Sequence, residues 1–198
     1  MKRIVIAGGI GAGKSAICDR LRSLGYTVID ADDVAHDVTA KGSPTLRALV
    51  DAFGSAVLAS DGTLDRAFMA EIVFNDRSAL RRLDRITHGQ IGVEIVRQLD
   101  GATGDAVFVA VPLFRPEHRA AFRVDEVWSV QVDPETAVRR LVELRGFKED
   151  DARARLANQM SNDERERIVD RVLWNEGSLD ELFAQLDAAL ELVGLAHG

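Results

Sequence analysis

Short apolar runs, rich in β-branched residues and bounded by polar or turn residues, recur along the chain. Near-continuous runs of this kind predict strands buried on both faces, as in a parallel sheet that is covered by helices. The predicted strands cover residues 2–7, 26–30, 105–111, 126–132 and 170–174. Helical patterns lie between most of them, so the sequence predicts an α/β fold.

The long stretch between the second and third predicted strands has apolar residues at helical spacing. It predicts a helical insertion, with helices over residues 63–74 and 77–99. Gly89 and Gly92 interrupt the second helix, and each costs about 1 kcal/mol relative to alanine. We expect a kink or a close approach near His88 to be the reason.

Three more helices are predicted after the fourth strand. Asp133 and Pro134 form a helix start, in which a capping carboxylate precedes a proline at the first helical position. This helix is predicted to end at Gly146, because glycine is a common helix stop. A highly charged helix follows over residues 149–160, and a helix with one apolar face covers 179–193.

The two charged helices together carry five arginines, Arg139, Arg140, Arg145, Arg153 and Arg155. Such charge is typical of a solvated helix face. A helix pair that bears arginines is also typical of a lid that closes over phosphates. The residues alone leave both interpretations open.

Residues 8–15, between the first strand and the first helix, read GGIGAGKS, which matches the phosphate-binding loop pattern GxxxxGKS. Its glycines allow backbone angles and close approaches that a β-carbon would block. The loop N–H groups and the helix N-terminus attract phosphate oxygens. Lys14 can reach the outer phosphates, and Ser15 can hold a magnesium ion. The loop therefore predicts a protein that binds a nucleoside triphosphate.

A second chemical signal lies at the end of the strand over residues 26–30, where an acidic run contains Asp30, Asp32 and Asp33. Ligands of open α/β sheets bind at the carboxyl ends of the strands. A kinase needs a carboxylate there to accept or orient the proton of the attacking hydroxyl. Ordinary helix capping is the alternative interpretation of the same run.

Composition excludes several classes of protein. The chain has 198 residues and a net charge of −7, which argues against a general nucleic-acid binder. Cys18 is the only cysteine, so one chain can form no disulfide and no cysteine metal site, and we expect a core thiol. No apolar stretch approaches the ~18 residues of a membrane span, and no signal-peptide pattern is seen. We therefore expect a cytoplasmic protein without a membrane partner.

A series of motifs runs in a fixed order through nearly the whole chain. The motifs are GGIGAGKS at 8–15, VIDAD at 28–32, FG at 53–54, DGTLDR at 61–66, VF at 73–74, His88, VPL at 111–113, RRLVELRG at 139–146, DARARLANQ at 151–159 and LWNEGS at 173–178. Many families share the phosphate loop, but its combination with the later motifs is much more specific. The series resembles the dephospho-coenzyme A kinase family.

The resemblance implies an enzyme that uses ATP and Mg²⁺ to phosphorylate the ribose 3′-hydroxyl of dephospho-CoA, the last step of coenzyme A synthesis. It implies a P-loop kinase core with a parallel sheet of about five strands, formed by residues 1–30, 103–134 and 162–198. A helical acceptor domain would cover residues 31–102, and a helical lid would cover 135–161. The implied partners are small molecules only, with no nucleic acid.

The resemblance also implies roles for individual residues. Asp32 would be the base that faces the 3′-hydroxyl, and Lys14 and Arg140 would complete the catalytic set. The metal ligands would be Ser15 and Asp32. The acceptor-binding residues would be Asp32, Arg66 and His88. The ATP-binding residues would be Gly9, Ile10, Gly11, Ala12, Gly13, Lys14, Ser15, Ala16, Arg140, Arg145, Asn175 and Gly177.

The chain departs from the family pattern at two places. Gly89 follows the histidine where the family usually has proline. Val109 and Ala110 stand where an acid usually precedes the VPL segment, and the glutamate that usually follows the segment is displaced to Glu117. Such an acid helps to hold magnesium. Two alternatives therefore stay open: a P-loop kinase for another nucleoside or ribosyl small molecule, and a catalytically weakened relative that binds nucleotide or CoA.

Overall fold

The structure is a computed structural model that describes residues 1–195. The chain forms two compact units. The first contains Met1–Asp30 and the described chain from Gly101 onward, and the second contains Ala31–Asp100. Within the described residues, no helix combines the length and apolar character that a membrane crossing requires.

The first unit is built on a parallel sheet of five strands, which confirms the predicted fold class. The order across the sheet is β2-β3-β1-β4-β5, so β1 is central and pairs with β3 and β4. Every predicted strand is present within two residues of its predicted ends. The strands are β1 Lys2–Gly8, β2 Thr27–Asp30, β3 Ala106–Val111, β4 Glu126–Gln131 and β5 Arg171–Trp174.

Helices account for most of the remaining chain. They are α1 Lys14–Ser23, α2 Ala31–Val38, α3 Pro44–Phe53, α4 Arg66–Asn75, α5 Arg77–Gly101, α6 Pro116–Ala121, α7 Pro134–Arg145, α8 Glu149–Ala157, α9 Asn162–Glu166 and α10 Leu179–Leu192. Four of these, α2, α3, α6 and α9, were not individually predicted. Five others, α4, α5, α7, α8 and α10, match predicted ranges with ends that differ by up to three residues, and α1 is the helix expected after the phosphate loop.

The ends of α7 and α8 follow from local hydrogen bonds. The Asp133 carboxylate accepts from the Thr136 N–H at 3.1 Å, and Gly146 ends α7 in the left-handed conformation at φ 68°. The predicted start and stop of this helix are therefore confirmed. The next helix, α8, ends at Ala157 instead of 160, because the Asn158 side chain donates to the Ala154 carbonyl at 2.9 Å.

The core of the first unit lies around β3, whose six residues are all buried. The Phe108 ring meets Tyr26 and Trp128 edge-on, with centroid distances of 5.2 Å and 5.9 Å. The apolar faces of α1 and α10 pack into the same cluster through Ile17 and Leu186. This packing holds the carboxyl ends of β1, β3 and β4 at one edge of the sheet, where the phosphate loop begins.

The second unit contains α2, α3, α4 and nearly all of α5. Its helix α4 begins at Arg66 because the Asp65 carboxylate caps it, accepting from the Phe68 N–H at 2.9 Å. The predicted start at residue 63 was therefore three residues too early. Leu64 instead forms an isolated β-bridge with Leu58.

The long helix α5 continues without interruption through Gly89 and Gly92. The expected close approach at these glycines is wrong. A β-carbon built at either position would meet no described atom within 4 Å outside the local helix. The glycines therefore carry their intrinsic helical cost without a packing reason.

We expect Gly89→Ala to raise the free energy of unfolding by about 0.5–1 kcal/mol, because alanine loses less backbone entropy in a helix and has room here. Gly54→Ala is the matched control, since Gly54 has equal room but a φ of 86°. The control should lower the free energy of unfolding by about 1–3 kcal/mol. Urea titration of both variants measures the difference, and a destabilised Gly89→Ala protein would contradict the helix description.

Candidate active site

The phosphate loop leaves the sheet at Gly8, the last residue of the central strand. A β-carbon there would lie 2.8 Å from the Val130 carbonyl oxygen of β4, so only glycine allows the two strands to pair so closely. At its other end, Gly13 caps α1 with φ 99°, in the left-handed region that favours glycine. Gly13 has no side chain, so the N-cap residue makes no side-chain hydrogen bond to the first turn of α1. The helix therefore presents a positive end that suits an anion.

A buried amide holds the loop from inside. Asn175 is 4% exposed, and its Nδ2 donates to the Ala12 carbonyl at 2.8 Å. The Asn175 backbone N–H donates to the Gln131 carbonyl at the end of β4, also at 2.8 Å. The loop is thus tied to the sheet by a residue just beyond β5.

Arg140 of α7 reaches the same asparagine. Its Nη2 donates to the Asn175 carbonyl at 2.9 Å and lies 3.4 Å from Asn175 Oδ1. Of the two arginines predicted at the nucleotide, Arg140 is therefore placed beside the loop anchor. Arg145 lies one residue before Gly146 at the exposed end of α7, and Gly177 is exposed in the turn before α10.

The α7–α8 pair supports the loop from another side. Ile10 packs against a small apolar cluster formed by Val138, Leu141 and Ala152. The Gln159 side-chain oxygen, just beyond α8, accepts from the Ile10 N–H at 3.0 Å. Residues of the predicted lid therefore contact the phosphate loop directly within the first unit.

Three arginines of the α7–α8 pair make two kinds of contact. Arg153 binds the Glu135 carboxylate at 2.7 Å and the Glu149 carboxylate at 2.8 Å, and these bonds raise the pKa of its guanidinium. Arg155 stacks over the Phe147 ring at 4.9 Å. Both are exposed contacts within the pair, as expected for a solvated face. Arg140 alone of the three has a contact that leads to the loop anchor.

Ala110 is fully buried and sits between two site strands. It lies opposite Ile6 of β1 on one side and opposite Asp30 of β2 on the other. Asp30 therefore supplies a carboxyl group beside the position where the family usually has an acid. Burial raises the pKa of the nearby Cys18 thiol to about 11, an effect that the Lys14 charge reduces and the Asp30 charge increases. The charges of Lys14 and Asp30 therefore both influence the pKa of Cys18.

Arg66 lines a cavity in the second unit. Its Nη2 donates to the Thr39 hydroxyl at 2.8 Å. Both residues line a cavity of about 480 Å³, together with His36 and Lys41. The lining thus has three basic side chains and one carboxylate, that of Asp65, which caps α4. The excess of basic groups suits an anionic ligand.

The other two residues predicted on the acceptor side lie outside that lining. Asp32 is exposed in the first turn of α2. His88 is exposed on α5, with its Nε2 3.6 Å from an Asp84 carboxylate oxygen. Among the described lining residues of the cavity, neither Asp32 nor His88 is found.

Comparison with known proteins decides the family. The model of the family described as CoaE: Dephospho-CoA kinase matches residues 3–181. A dephospho-CoA kinase of Corynebacterium glutamicum is 43% identical over 188 residues, which cover 93% of this chain and 94% of that protein. The chain belongs to the dephospho-CoA kinase family. The resemblance seen in the sequence is thereby confirmed, and the chain is a kinase.

Solved structures agree with this assignment. A dephospho-CoA kinase from Campylobacter jejuni has a TM-score of 0.73 and 26% identity, covering 98% of each chain. The crystal structure of TT1252 from Thermus thermophilus has a TM-score of 0.81 and 30% identity, covering 97% of each chain. The fold of the Campylobacter jejuni dephospho-CoA kinase is therefore similar over nearly the whole chain.

Two residues beside the loop were not predicted as site residues. Gln159 was part of a family motif, but no pattern in the sequence linked it to Ile10. Arg165 lies in α9, a helix of five residues that carries no apolar periodicity. The structure places both next to Gly9, where a β-carbon would lie 3.3 Å from Gln159 Oε1 and 3.4 Å from Arg165 Nη2.

We expect Asn175→Ala to lower the free energy of unfolding by about 1–3 kcal/mol, because the buried Ala12 carbonyl loses its donor. ATP affinity should fall with it, since the loop loses its anchor. Asn158→Ala is the control: Asn158 is exposed and bonds only within its own helix end, so its effect should stay within about 0.5 kcal/mol. Urea titration and ATP calorimetry test both variants, and unchanged values for Asn175→Ala would refute the anchor.

The Cys18 thiol should be protected from alkylation in the native protein. Its pKa of about 11 against an ordinary 9.0 leaves almost no thiolate at pH 8. The labelling rate with iodoacetamide should rise as the pH approaches 11. In urea, the exposed thiol should react readily at pH 8. Fast labelling of the folded protein at pH 8 would contradict the burial of this group.

Proposed function

We propose that this kinase transfers the γ-phosphoryl group of ATP to the ribose 3′-hydroxyl of dephospho-CoA, giving coenzyme A. The observation that carries the proposal is the phosphate loop, held in place by Asn175 and Gln159 in a chain of the dephospho-CoA kinase family. We further propose that it acts in the cytoplasm, as the single buried thiol favours.

The residues of the first unit suit ATP. The N–H groups of residues 9–16 and the start of α1 would receive the phosphates, with Lys14 at the outer ones. Arg140 would add positive charge beside the loop anchor. Arg145, Asn175 and Gly177 would complete the nucleotide site, Asn175 chiefly by holding the loop.

The donor set also fits magnesium. Ser15 and Asp32 offer hydroxyl and carboxylate oxygens, which are the ligands that Mg²⁺ prefers. Among the described residues, no cluster of three or more acidic, histidine or cysteine side chains forms a complete metal site. Phosphate oxygens and water would therefore supply the remaining ligands, as is usual for Mg²⁺ in kinases. Magnesium held by these residues would supply positive charge that stabilises the phosphoryl transfer.

Asp32 is proposed as the group that accepts the proton of the attacking hydroxyl. It follows the carboxyl end of β2 by two residues and is exposed in the first turn of α2. Phosphoryl transfer depends on positioning and on charge stabilisation, for which Lys14 and Arg140 would serve. Asp32 is the second residue of α2, where a negative charge also favours the start of the helix.

The second unit is proposed to bind the acceptor. Residues 31–102 would form this domain, residues 135–161 the lid, and the rest the nucleotide-binding core. The cavity around Arg66, His36 and Lys41 suits the negatively charged phosphates of dephospho-CoA. His88 would contact the acceptor from α5.

The weakened relative remains the second candidate because of one observation. Ala110 is apolar and buried at the position where the family usually carries an acid. A catalytically weakened relative would bind ATP without transferring its phosphoryl group. A kinase for another acceptor would phosphorylate nucleosides but leave dephospho-CoA unchanged.

An assay of the full chain with ATP, magnesium and dephospho-CoA separates these candidates. Formation of coenzyme A at about 1–100 s⁻¹, the usual range of kinases, supports the proposed function. Transfer to nucleosides alone, or ATP binding without any transfer, would refute it.

Asp32→Asn is expected to lower kcat by about 10²–10⁴-fold, because the base can no longer accept a proton. ATP affinity measured without magnesium should stay within about threefold of the parent, since Asp32 is not among the residues proposed to contact ATP itself. Asp33→Asn is the matched control, an exposed neighbour in the same helical turn that should keep kcat within about twofold. Steady-state kinetics and ATP calorimetry test both, and retained turnover in Asp32→Asn would remove Asp32 from this role.

A further inference from the structure

A cavity of about 420 Å³ lies against the phosphate loop in the first unit. The loop side of its wall contains Gly9, Ile10 and Ala12. The opposite side is formed by the segment between α8 and α9 and by α9 itself, including Gln159 and Arg165. Every residue of this cavity belongs to the first unit, and none was assigned to a ligand above apart from those of the loop.

Arg165 is the charged group buried in this wall. It is 9% exposed, and its Nη2 donates to the Met160 carbonyl at 2.8 Å. Its Nη1 donates to Asn162 Oδ1 at 3.1 Å. Both acceptors are uncharged, so the hydrogen bonds satisfy part of the guanidinium but leave its charge uncompensated.

The described chain places no carboxylate against this guanidinium. Glu164 is the acidic residue among the described lining of the cavity, and its Oε2 accepts from the N–H and the hydroxyl of Ser161. Burial lowers the pKa of Arg165 with no opposing charge to raise it. Arg153, by contrast, is exposed and bound by two carboxylates.

The uncompensated charge lies next to the loop. The β-carbon position of Gly9 is 3.4 Å from Arg165 Nη2 and 3.8 Å from Nη1. A cation removed from water is costly unless an anion meets it. The anion that the neighbouring loop N–H groups are built to receive is phosphate. A planar guanidinium also offers paired donors that match phosphate oxygens.

We propose that Arg165 is a phosphate-binding residue of the nucleotide site, whose guanidinium donates to an outer phosphate oxygen of the triphosphate in the cavity beside Gly9. Gln159, which occupies the Ile10 N–H at 3.0 Å, keeps the loop ordered on the same side. The inference rests on the proposed function only in that the loop binds a triphosphate; it does not depend on which acceptor is phosphorylated.

Calorimetry with inorganic tripolyphosphate tests this directly, because the probe has phosphates but no base or ribose. Arg165→Gln should weaken tripolyphosphate and ATP binding by about 10- to 150-fold, the usual loss for a hydrogen bond to a charged group. Adenosine binding should be unchanged. Arg165→Lys keeps the charge but lacks the paired donors of the guanidinium, so its loss of tripolyphosphate and ATP affinity should be intermediate.

Arg167→Gln is the matched control, because Arg167 is exposed two residues further along and should change the affinity by no more than about twofold. Melting temperatures of all variants show whether they fold. If Arg165→Gln does not fold, Arg165→Lys decides the question. Tripolyphosphate affinity within about twofold of the parent in a folded Arg165 variant would show a structural role only and overturn the inference.

The outcomes for the two proposals are distinct. A parent protein that binds tripolyphosphate through Arg165 but leaves dephospho-CoA unphosphorylated would refute the proposed function and leave this inference standing. A parent protein that makes coenzyme A while Arg165→Gln binds tripolyphosphate normally would refute this inference alone.

Discussion

The hydrogen bond from Asn175 to the Ala12 carbonyl joins two segments that are 163 residues apart in the chain. It fixes the inner side of the phosphate loop, while the Asn175 backbone is itself bonded to the end of β4. Arg140 then docks on the same asparagine. A buried amide is costly if left unpaired, so losing a partner of Asn175 destabilises this part of the loop. The folded sheet therefore contributes to the shape of the loop through Asn175.

The distribution of charge explains how an acidic protein can hold a triphosphate. The chain carries a net charge of −7, yet Lys14, Arg140 and Arg165 all lie at or near the loop. Exposed arginines such as Arg153 are neutralised by nearby carboxylates. Because paired surface charges contribute little to a distant field, the local excess at the loop dominates what an incoming anion meets. The protein thus combines an acidic surface with a basic site.

The sequence predicted those features that depend on neighbouring residues. Apolar runs identified all five strands, and Asp133 and Gly146 marked the ends of α7, because burial and capping are local properties. Contacts between distant segments could not be predicted in the same way. The five residues of α9 are all polar, so no periodicity revealed the helix or the burial of Arg165 within it. The sequence indicated that Gly89 destabilises a helix. It could not show that a β-carbon at this position would meet no described atom within 4 Å outside the local helix.

The strand order has a consequence for synthesis on the ribosome. The central strand β1 is made first, yet both of its partners, β3 and β4, lie beyond residue 105. At roughly 5–20 residues per second, several seconds pass before either partner exists. Meanwhile the compact helical unit Ala31–Asp100 is completed. Strand β1, which leads into the phosphate loop, stays unpaired during this interval. The nascent chain is therefore open to chaperone binding or to misassociation at this strand.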